Sequence, residues 1–309
     1  MTVKSTRLSL TLRSEHMIVV LLFGAFAISL APIFVRISTL DPLVSAFYRL
    51  SLSLPVLMLV PFLGAGKENT PTRSLTNMPL RDVALMFLCG VMLAADLALW
   101  HISINMTTVA NATLFNNCAP VVLLLLGWAF FGERISRDVF IALAVAATGM
   151  GLLMGGNFVL APERLFGDAG AISTAFFYAI YLFMVKSLRA RYDTFSIMVA
   201  TSLASAICLL IVCMIQGWSM VPGSLEDWLV ILGLAVSCHA IGQSLIAKAL
   251  AYLPVTISSF CLLLQPVSAA ILAWLLFQEA LGPVQILGGV LVLGGIVLSN
   301  RAHVAQKGE

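Results

Sequence analysis

The chain has 309 residues, of which 61% are hydrophobic and only 10% are charged, and its mean hydropathy is +1.04. A soluble domain carries about 25% charged residues, so the composition excludes an ordinary soluble protein and indicates a chain that lies largely within a lipid bilayer. The net charge of +3 is carried by loops and predicts no nucleic-acid partner. The six cysteines lie in apolar stretches without metal-ligand spacing, so no disulfide framework, metal site or cofactor is expected.

Ten stretches are long and apolar enough to cross the hydrocarbon, which takes about 20 residues of helix. None alternates in hydrophobicity as a spanning strand would. We therefore predict an all-α multi-pass membrane protein with ten transmembrane helices. Their approximate limits are 17–38, 42–63, 80–103, 107–131, 137–156, 167–187, 194–216, 228–251, 254–277 and 282–300. The apolar run after Arg13 continues to about Val35, too long for a signal peptide, so it is expected to remain as the first span.

The second and third spans each place an ionisable group inside the membrane. Arg49 in the second span and Asp96 in the third both lie about seven residues from the same end, or about 10 Å deep at about 1.5 Å per residue. Charged groups at this depth are expensive and indicate a functional site or a mutual pair. Asp96 is thus a candidate substrate or proton site, or the partner of Arg49 in a structural ion pair. Trp100 shares the face of Asp96 at i+4.

The fourth span combines several amides with a proline. Asn111, Asn116 and Asn117 precede Pro120, and an Asn side chain can both donate and accept hydrogen bonds with a polar ligand. Proline in a helix frees a backbone carbonyl, which is tolerated at membrane depth beside protein or a wet cavity. Asn116 and Asn117 are therefore predicted to line a cavity. Hydrogen bonding between helices and simple packing kinks are the structural alternatives.

The second half of the chain supplies four further candidates. His239 and Gln243 lie at i and i+4 of the eighth span, Tyr178 in the sixth, and Gln265 in the ninth. A buried His can take up a proton near neutral pH, or it can simply bond to a neighbouring helix. A buried Tyr packs its ring and bonds its hydroxyl. All four are predicted to contact substrate, with structural roles as the alternative.

An internal repeat relates the two halves with a shift of 146 residues (266 − 120). Because each copy holds five spans, an odd number, the second copy must be inverted in the membrane. The repeats are predicted at 17–156 and 167–300, joined by a linker at 157–166. Glu133 and Glu279 end matching spans, where they are expected to cap the following helix or to latch a gate. Matching positions are Pro120 and Pro266, Trp128 and Trp274, Glu133 and Glu279, and Gly149 and Gly295.

The basic residues predict the orientation, because Lys and Arg favour cytoplasmic loops. With the N-terminus inside, most of the 17 Lys and Arg residues fall on the cytoplasmic side, and only Arg36 and Arg164 lie at the outer face. Both termini, the segments 1–16 and 301–309, are therefore predicted to be cytoplasmic, in the plasma (cell inner) membrane. The glycines near the end of the chain indicate close helix packing or a dimer contact, so both a monomer and a homodimer remain open.

Two blocks carry a family resemblance. They are Ala119-Pro120 with Trp128-Ala129-Phe130-Phe131-Gly132-Glu133-Arg134 and a helix ending at Gly149, and Gln265-Pro266 with Gln278-Glu279 and Gly295. The pattern resembles the EamA-type repeat of the drug/metabolite transporter superfamily. The resemblance implies two inverted five-helix repeats, alternating access, and a cavity lined mainly by spans 1, 3, 4, 6, 8 and 9, with spans 5 and 10 peripheral. The second copy lacks mates for Asp96 and Trp100, so the cavity is expected to be asymmetric.

Together these features predict a secondary active transporter of small polar organic metabolites such as amino acids or amines, not an enzyme. The resemblance implies export. The partners are a small-molecule substrate, the bilayer, and a proton or counter-substrate. Sugar phosphates would want several convergent basic residues, and no P-loop occurs. The alternatives are a passive facilitator or channel, and an uptake carrier for a nucleoside-like metabolite such as S-adenosylmethionine. An intramembrane enzyme would need a catalytic motif such as H-E-x-x-H, which is absent.

Overall fold

The computed structural model describes residues 2–60, 78–107, 112, 115–133, 135–154, 162–278 and 280–308. These residues form helices and no strands. A short 3-10 turn lies at Pro162–Arg164 and a π-helix at Leu234–Gln243. The helices are α1 (Thr2–Ile28), α2 (Ala31–Ile37), α3 (Pro42–Ser51), α4 (Ser53–Leu59), α5 (Leu80–Met106), α6 (Ala119–Phe131), α7 (Arg137–Leu153), α8 (Leu165–Arg189), α9 (Thr194–Gln216), α10 (Leu225–Gly233), α11 (Ser244–Leu250), α12 (Val255–Leu262), α13 (Leu264–Phe277) and α14 (Pro283–Gly308).

The helices follow the predicted spans in chain order. Eight stretches of the described chain are long and apolar enough to cross a bilayer. Helices α6, with 13 residues, and α7, with 17, occupy the two remaining spans. The prediction of an all-α bundle is confirmed. The first and last helices extend beyond their predicted limits, because α1 begins at Thr2 and α14 continues to Gly308.

Three prolines interrupt spans at related positions. The first span breaks between α1 and α2, with Pro32 in the first turn of α2. Pro120 lies in the first turn of α6, and Pro266 in the first turn of α13, after the break at Leu263. Proline fits the first turn of a helix because its missing N–H would be unpaired there anyway. The prolines therefore divide their spans into separate helices, where continuous kinked helices were expected.

Two further irregularities were not predicted from the sequence. The second span divides at Leu52 into α3 and α4, three residues before Pro55, which removes a helical hydrogen bond there. The Ser53 hydroxyl donates to the carbonyl of Leu50 at 2.7 Å. The eighth span contains the π-helix, a form that is rare and frequent at functional sites. The π-helix carries His239 and Gln243.

The buried apolar side chains form two main clusters. The larger joins α1, α3, α5, α8, α9, α11 and α12, with Leu21, Leu43 and Tyr181 among its fully buried members. The smaller joins α7 and α14 to the ninth span through residues such as Ala146 and Val292. Helices α7 and α14, the fifth and tenth spans, thus pack mainly against each other at one side of the bundle.

Helices α7 and α14 approach each other closely at glycines. A Cβ atom added at Gly149 would lie 2.7 Å from the carbonyl oxygen of Gly288 and from the amide nitrogen of Val292. A Cβ added at Gly295 would lie 2.7 Å from the Cβ of Ala146. Small residues allow helix backbones to approach in membranes. Gly288 and Gly295 of the tenth span therefore serve packing within the chain, whereas an added Cβ at Gly294 would meet nothing within 4 Å.

We expect Gly149→Ala to destabilise the protein and Gly151→Ala to leave it unchanged or slightly more stable. The first substitution drives a methyl group into backbone atoms that no rotamer change can move, at a cost of about 1–3 kcal/mol. The second adds a methyl where nothing lies within 4 Å, so only the better helix propensity of Ala acts. Thermal unfolding in detergent measures both, and equal midpoints for the two variants would contradict the packing.

Candidate functional site

A cavity of about 430 Å³ lies among the helices of both repeats, within the usual size range of small-molecule sites. It reaches from Asp96 toward the end of the bundle that holds Val35 and Ala273. Its wall is mostly apolar with a few polar groups. The lining residues are Ile28, Ser29, Ala31, Pro32, Val35, Ala46, Arg49, Leu93, Asp96, Leu97, Trp100, Asn116, Asn117, Leu153, Met154, Tyr178, Leu234, Gln243, Gln265, Pro266, Ala269, Ala270 and Ala273.

The cavity brings together most of the side chains that the sequence singled out. The residues predicted to contact substrate that line it are Asp96, Trp100, Asn116, Asn117, Tyr178, Gln243 and Gln265. Arg49 and Pro266, predicted as structural or gating residues, also line it. His239, Pro120 and Glu133 are not in its wall, while Asn111 and Glu279 lie outside the described residues.

Asp96 is held by a short polar network. The Asn116 amide donates from Nδ2 to Oδ1 of Asp96 at 3.1 Å and to Oγ1 of Thr174 at 2.9 Å. The Thr174 hydroxyl in turn donates to the carbonyl of Ala171 at 2.6 Å. The network joins α5, α8 and the start of the fourth span, so it fixes one carboxylate oxygen at the junction of the two repeats.

Arg49 shares the cavity with Asp96 but does not touch it. Among the described residues no ion pair joins these two side chains, although their charges attract. The direct pair considered from their equal depth is therefore absent from this conformation. The Nε atom of Arg49 is buried and has no hydrogen-bond partner within the described chain. The guanidinium is thus a cation in the cavity wall whose donors are not engaged by those residues.

Tyr178 and Gln243 are polar lining residues contributed by the second repeat. The Tyr178 hydroxyl donates to Oε1 of Gln243 at 3.5 Å, a long contact. The Tyr178 ring stacks on Tyr181 with centroids 6.0 Å apart, and Tyr181 is fully buried behind it with its hydroxyl on the sulfur of Met198. Tyr178 therefore lines the cavity while its ring packs against the buried Tyr181.

His239 lies away from the cavity. Its Nε2 is 2.7 Å from the Ser202 hydroxyl of α9, and only 1% of the residue is exposed. In the π-helix, His239 faces α9 whereas Gln243 faces the cavity. His239 is therefore not among the residues that line the cavity, and its contact with substrate stays a prediction. The alternative reading of a histidine bonded to a neighbouring helix describes the observed geometry.

Glu133 caps a helix of the other repeat. Its carboxylate accepts hydrogen bonds from the amides of Val255 and Thr256 at 2.6 and 2.8 Å, and from the Thr256 hydroxyl at 2.7 Å. These are the first residues of α12, where free N–H groups and the helix dipole attract an anion. The helix that follows Glu133, α7, is capped by Ser136 instead. The capping expected from the sequence therefore acts across the repeats.

Lys186 adds a second tie at the same end. Its Nζ donates to the carbonyls of Leu250 and Leu253 at 3.0 and 2.5 Å and lies 5.7 Å from the centroid of the Phe131 ring. Glu133 and Lys186 also attract each other. We call Glu133, Lys186, Val255 and Thr256 the Glu133 latch, because they tie the two repeats at one end of the bundle.

A related contact occurs at the opposite end. The Arg36 guanidinium lies over the Phe277 ring, 4.2 Å from its centroid. Phe277 is the repeat mate of Phe131 (131 + 146), and each ring meets a basic residue near the end of the opposite repeat's first helix. The inverted repeat thus places a cation–aromatic contact at each end of the bundle.

Several residues of the site were missed from the sequence. Thr174, which accepts a hydrogen bond from Asn116, precedes Tyr178 by one helical turn on the same face, a spacing that could have pointed to it. Ala46 of the second span and Leu153 and Met154 of the fifth line the cavity itself. The resemblance implied a lining mainly from spans 1, 3, 4, 6, 8 and 9. The second and fifth spans contribute as well, so their part could not be assigned from that resemblance.

The fold defines the class of the protein: a multi-pass helical bundle built from two repeats around a shared cavity. The model of the EamA-like transporter family matches twice, at residues 16–155 and 165–301. The chain belongs to the EamA-like transporter family. One solved crystal structure is similar with a TM-score of 0.78 at 16% identity, covering 93% of this chain and 96% of that chain, which shows the fold alone.

Curated relatives carry exporter names. The chain is 29% identical to a probable terminal-alkyne amino-acid exporter of Streptantibioticus cattleyicolor, over 74% of this chain and 77% of that protein. It is 28% identical to the pseudopaline exporter CntI of Pseudomonas aeruginosa, over 68% of this chain and 72% of that protein. These names and the family indicate a transporter of the membrane, in keeping with the expectation of a non-enzymatic protein.

We expect Asn116→Ala to weaken substrate binding more than Thr174→Val. The first change removes the amide that donates to Asp96. A hydrogen bond to a charged group is worth about 1.5–3 kcal/mol. The second removes a bond that only orients Asn116. Substrate affinity from counterflow at graded concentrations ranks the two variants, with cell-surface expression as the control. A larger loss in Thr174→Val would show that Asn116 does not act through Asp96.

Proposed function

We propose that the chain is a secondary active exporter of small polar organic metabolites, such as amino acids or amines, that works by alternating access. One observation carries the proposal: the cavity holds an acid and amides between two repeats that are tied together at one end. A carrier needs such a site, because its substrate must bind near the middle while access changes from one face to the other.

The polar groups of the cavity suit a small metabolite. Asp96 offers a carboxylate, Asn117 and Gln265 offer amides, and Trp100 offers an aromatic surface. Ligand sites combine a mostly apolar wall with a few polar groups that fix orientation. The names of the two exporters above, for an amino acid and for pseudopaline, support a metabolite of this general kind.

The two ends of the bundle support the alternating-access part of the proposal. Lining residues of α13 run from Gln265 to Ala273, and those of the first span from Ile28 to Val35. The cavity therefore lies toward the Phe277 end, while the Glu133 latch ties the repeats at the other end. Opening the Glu133 latch and closing the Phe277 end would move access to the opposite face.

The orientation completes the proposal. The basic residues favour a cytoplasmic position for the Glu133 end and for both termini, so the present conformation would face outward. We place the protein in the plasma (cell inner) membrane, with repeats at 17–156 and 167–300. A proton or a counter-substrate would supply the driving force.

Counterflow in proteoliposomes tests the proposed function. Vesicles are loaded with unlabelled amino acids, polyamines or S-adenosylmethionine, and the labelled compound is added outside. A carrier accumulates label transiently, and we expect Asp96→Asn to lower the initial rate about tenfold or more, because the neutral amide loses a charge-assisted contact. A pH dependence that disappears in Asp96→Asn would identify the proton as the coupling partner.

The matched control is Asp138→Asn, which removes an exposed carboxylate in the first turn of α7 and is expected to transport normally. Label that only equilibrates, at rates typical of an ion pore, would support the channel instead. Normal counterflow in Asp96→Asn would remove Asp96 from the site.

A further inference from the structure

The cavity carries two opposite charges that are kept apart. Arg49 from α3 and Asp96 from α5 both line it, attract each other, and form no ion pair within the described chain. Charged groups inside a membrane bundle normally pair with each other directly. Because the two opposite charges share a cavity without forming an ion pair, a ligand could bind to both if it carried an anionic and a cationic group.

The Arg49 guanidinium has a buried donor that no residue of the described chain accepts. The Nε atom of Arg49 is buried with no hydrogen-bond partner among the residues described, and a buried unsatisfied donor costs free energy. Arg presents a planar fork of donors that matches a carboxylate in bidentate geometry. A carboxylate on the ligand would therefore accept the hydrogen bonds that the Arg49 guanidinium can donate.

The carboxylate side is only partly satisfied. Asn116 donates to Oδ1 of Asp96, and no other part of the described chain donates to its side chain. An ionised carboxylate has about four acceptor sites, so Asp96 can accept further hydrogen bonds. A primary ammonium group carries three donors and the opposite charge, and it would complete Asp96.

The remaining lining residues indicate which side chain the ligand can carry. Arg49, Asp96 and Tyr178 all line the cavity, and most of its other lining residues are apolar. These include Ala269 and Ala273 of α13. The small side chains of α13 leave space there for an apolar substituent.

We propose that the cavity binds a zwitterionic amino acid with an apolar side chain, its carboxylate on Arg49 and its ammonium group on Asp96. The proposal rests on the proposed transport function and narrows its substrate class from amino acids or amines to zwitterions. Arg49 becomes a substrate-binding residue, a different role from the structural or gating one expected from its depth alone.

Matched ligands test the proposal. Leucine, norleucine and phenylalanine are compared with their decarboxylated amines and with the corresponding acids that lack the amino group, by binding to the purified protein in detergent. Each zwitterion is expected to bind about tenfold or more tightly than its amine or acid, because each lost charge-assisted contact weakens binding by at least that factor. The decarboxylated partner of leucine is 3-methylbutylamine, and its deaminated partner is 4-methylpentanoate.

The variants assign each charge. Arg49→Gln should lower the affinity for the zwitterion to that of the amine while leaving amine binding unchanged. Asp96→Asn should lower it to that of the acid and leave acid binding unchanged. Arg49→Lys, which retains the charge, should bind zwitterions with an affinity between those of the unchanged protein and Arg49→Gln. Thermal unfolding checks that each variant is folded. Arg137→Gln removes an exposed cation outside the cavity and should match the unchanged protein.

The outcomes distinguish a failure of the zwitterion proposal from a failure of the proposed transport function. Equal binding of zwitterions and amines, or equal losses for both in Arg49→Gln, would overturn the carboxylate position, as would the failure of all three zwitterions to bind. If the unchanged protein still gives counterflow of amines, the proposed function stands and only this inference fails. If no compound of any class gives counterflow, both fail.

Discussion

The need to hold the charge of Asp96 inside a membrane bundle governs the architecture of the site. An ionised group at this depth is tolerated when it faces a cavity or a partner, and here it has both, with Asn116 as donor and Arg49 as a nearby cation. The Asn116 donor comes from the segment just before α6, where Pro120 starts a new helix. The break in the fourth span thus brings an amide to the acid.

The two repeats share a framework but divide the work unequally. The first repeat supplies Arg49, Asp96 and the two asparagines, whereas the second supplies Tyr178, two glutamines and the small residues of α13. The same inverted symmetry puts a cation against Phe131 at one end and against Phe277 at the other. A symmetric scaffold with an asymmetric cavity can alternate between two faces while binding its ligand in one orientation.

Much of the fold was predictable because hydrophobic runs, prolines and a repeat are local signals. The ten spans and the paired positions of Pro120 and Pro266 follow from them, whereas the division of these spans into separate helices was not expected. The π-helix was not predictable, since it depends on packing between helices, and it decides that Gln243 faces the cavity while His239 faces Ser202.

The site shows the same division between local and non-local information. Depth along separate helices predicted that Arg49 and Asp96 would be level, but the distance between them depends on helix separation, which no local pattern encodes. Glu133 was expected to cap a helix, yet its target is α12, 122 residues away along the chain. The contacts between the two repeats therefore could not be predicted from the sequence.

The most direct test of alternating access is labelling of a cysteine in the cavity from each face of the membrane. Asn117→Cys, in a chain whose native cysteines are replaced by alanine, is exposed to an impermeant maleimide in right-side-out and inverted vesicles. The account predicts fast labelling from the Phe277 end, slow labelling from the Glu133 end, and faster labelling from the latter when Glu133→Ala is added. Labelling from the Phe277 end alone in every variant, or fast labelling from both ends in the unchanged latch, would contradict it.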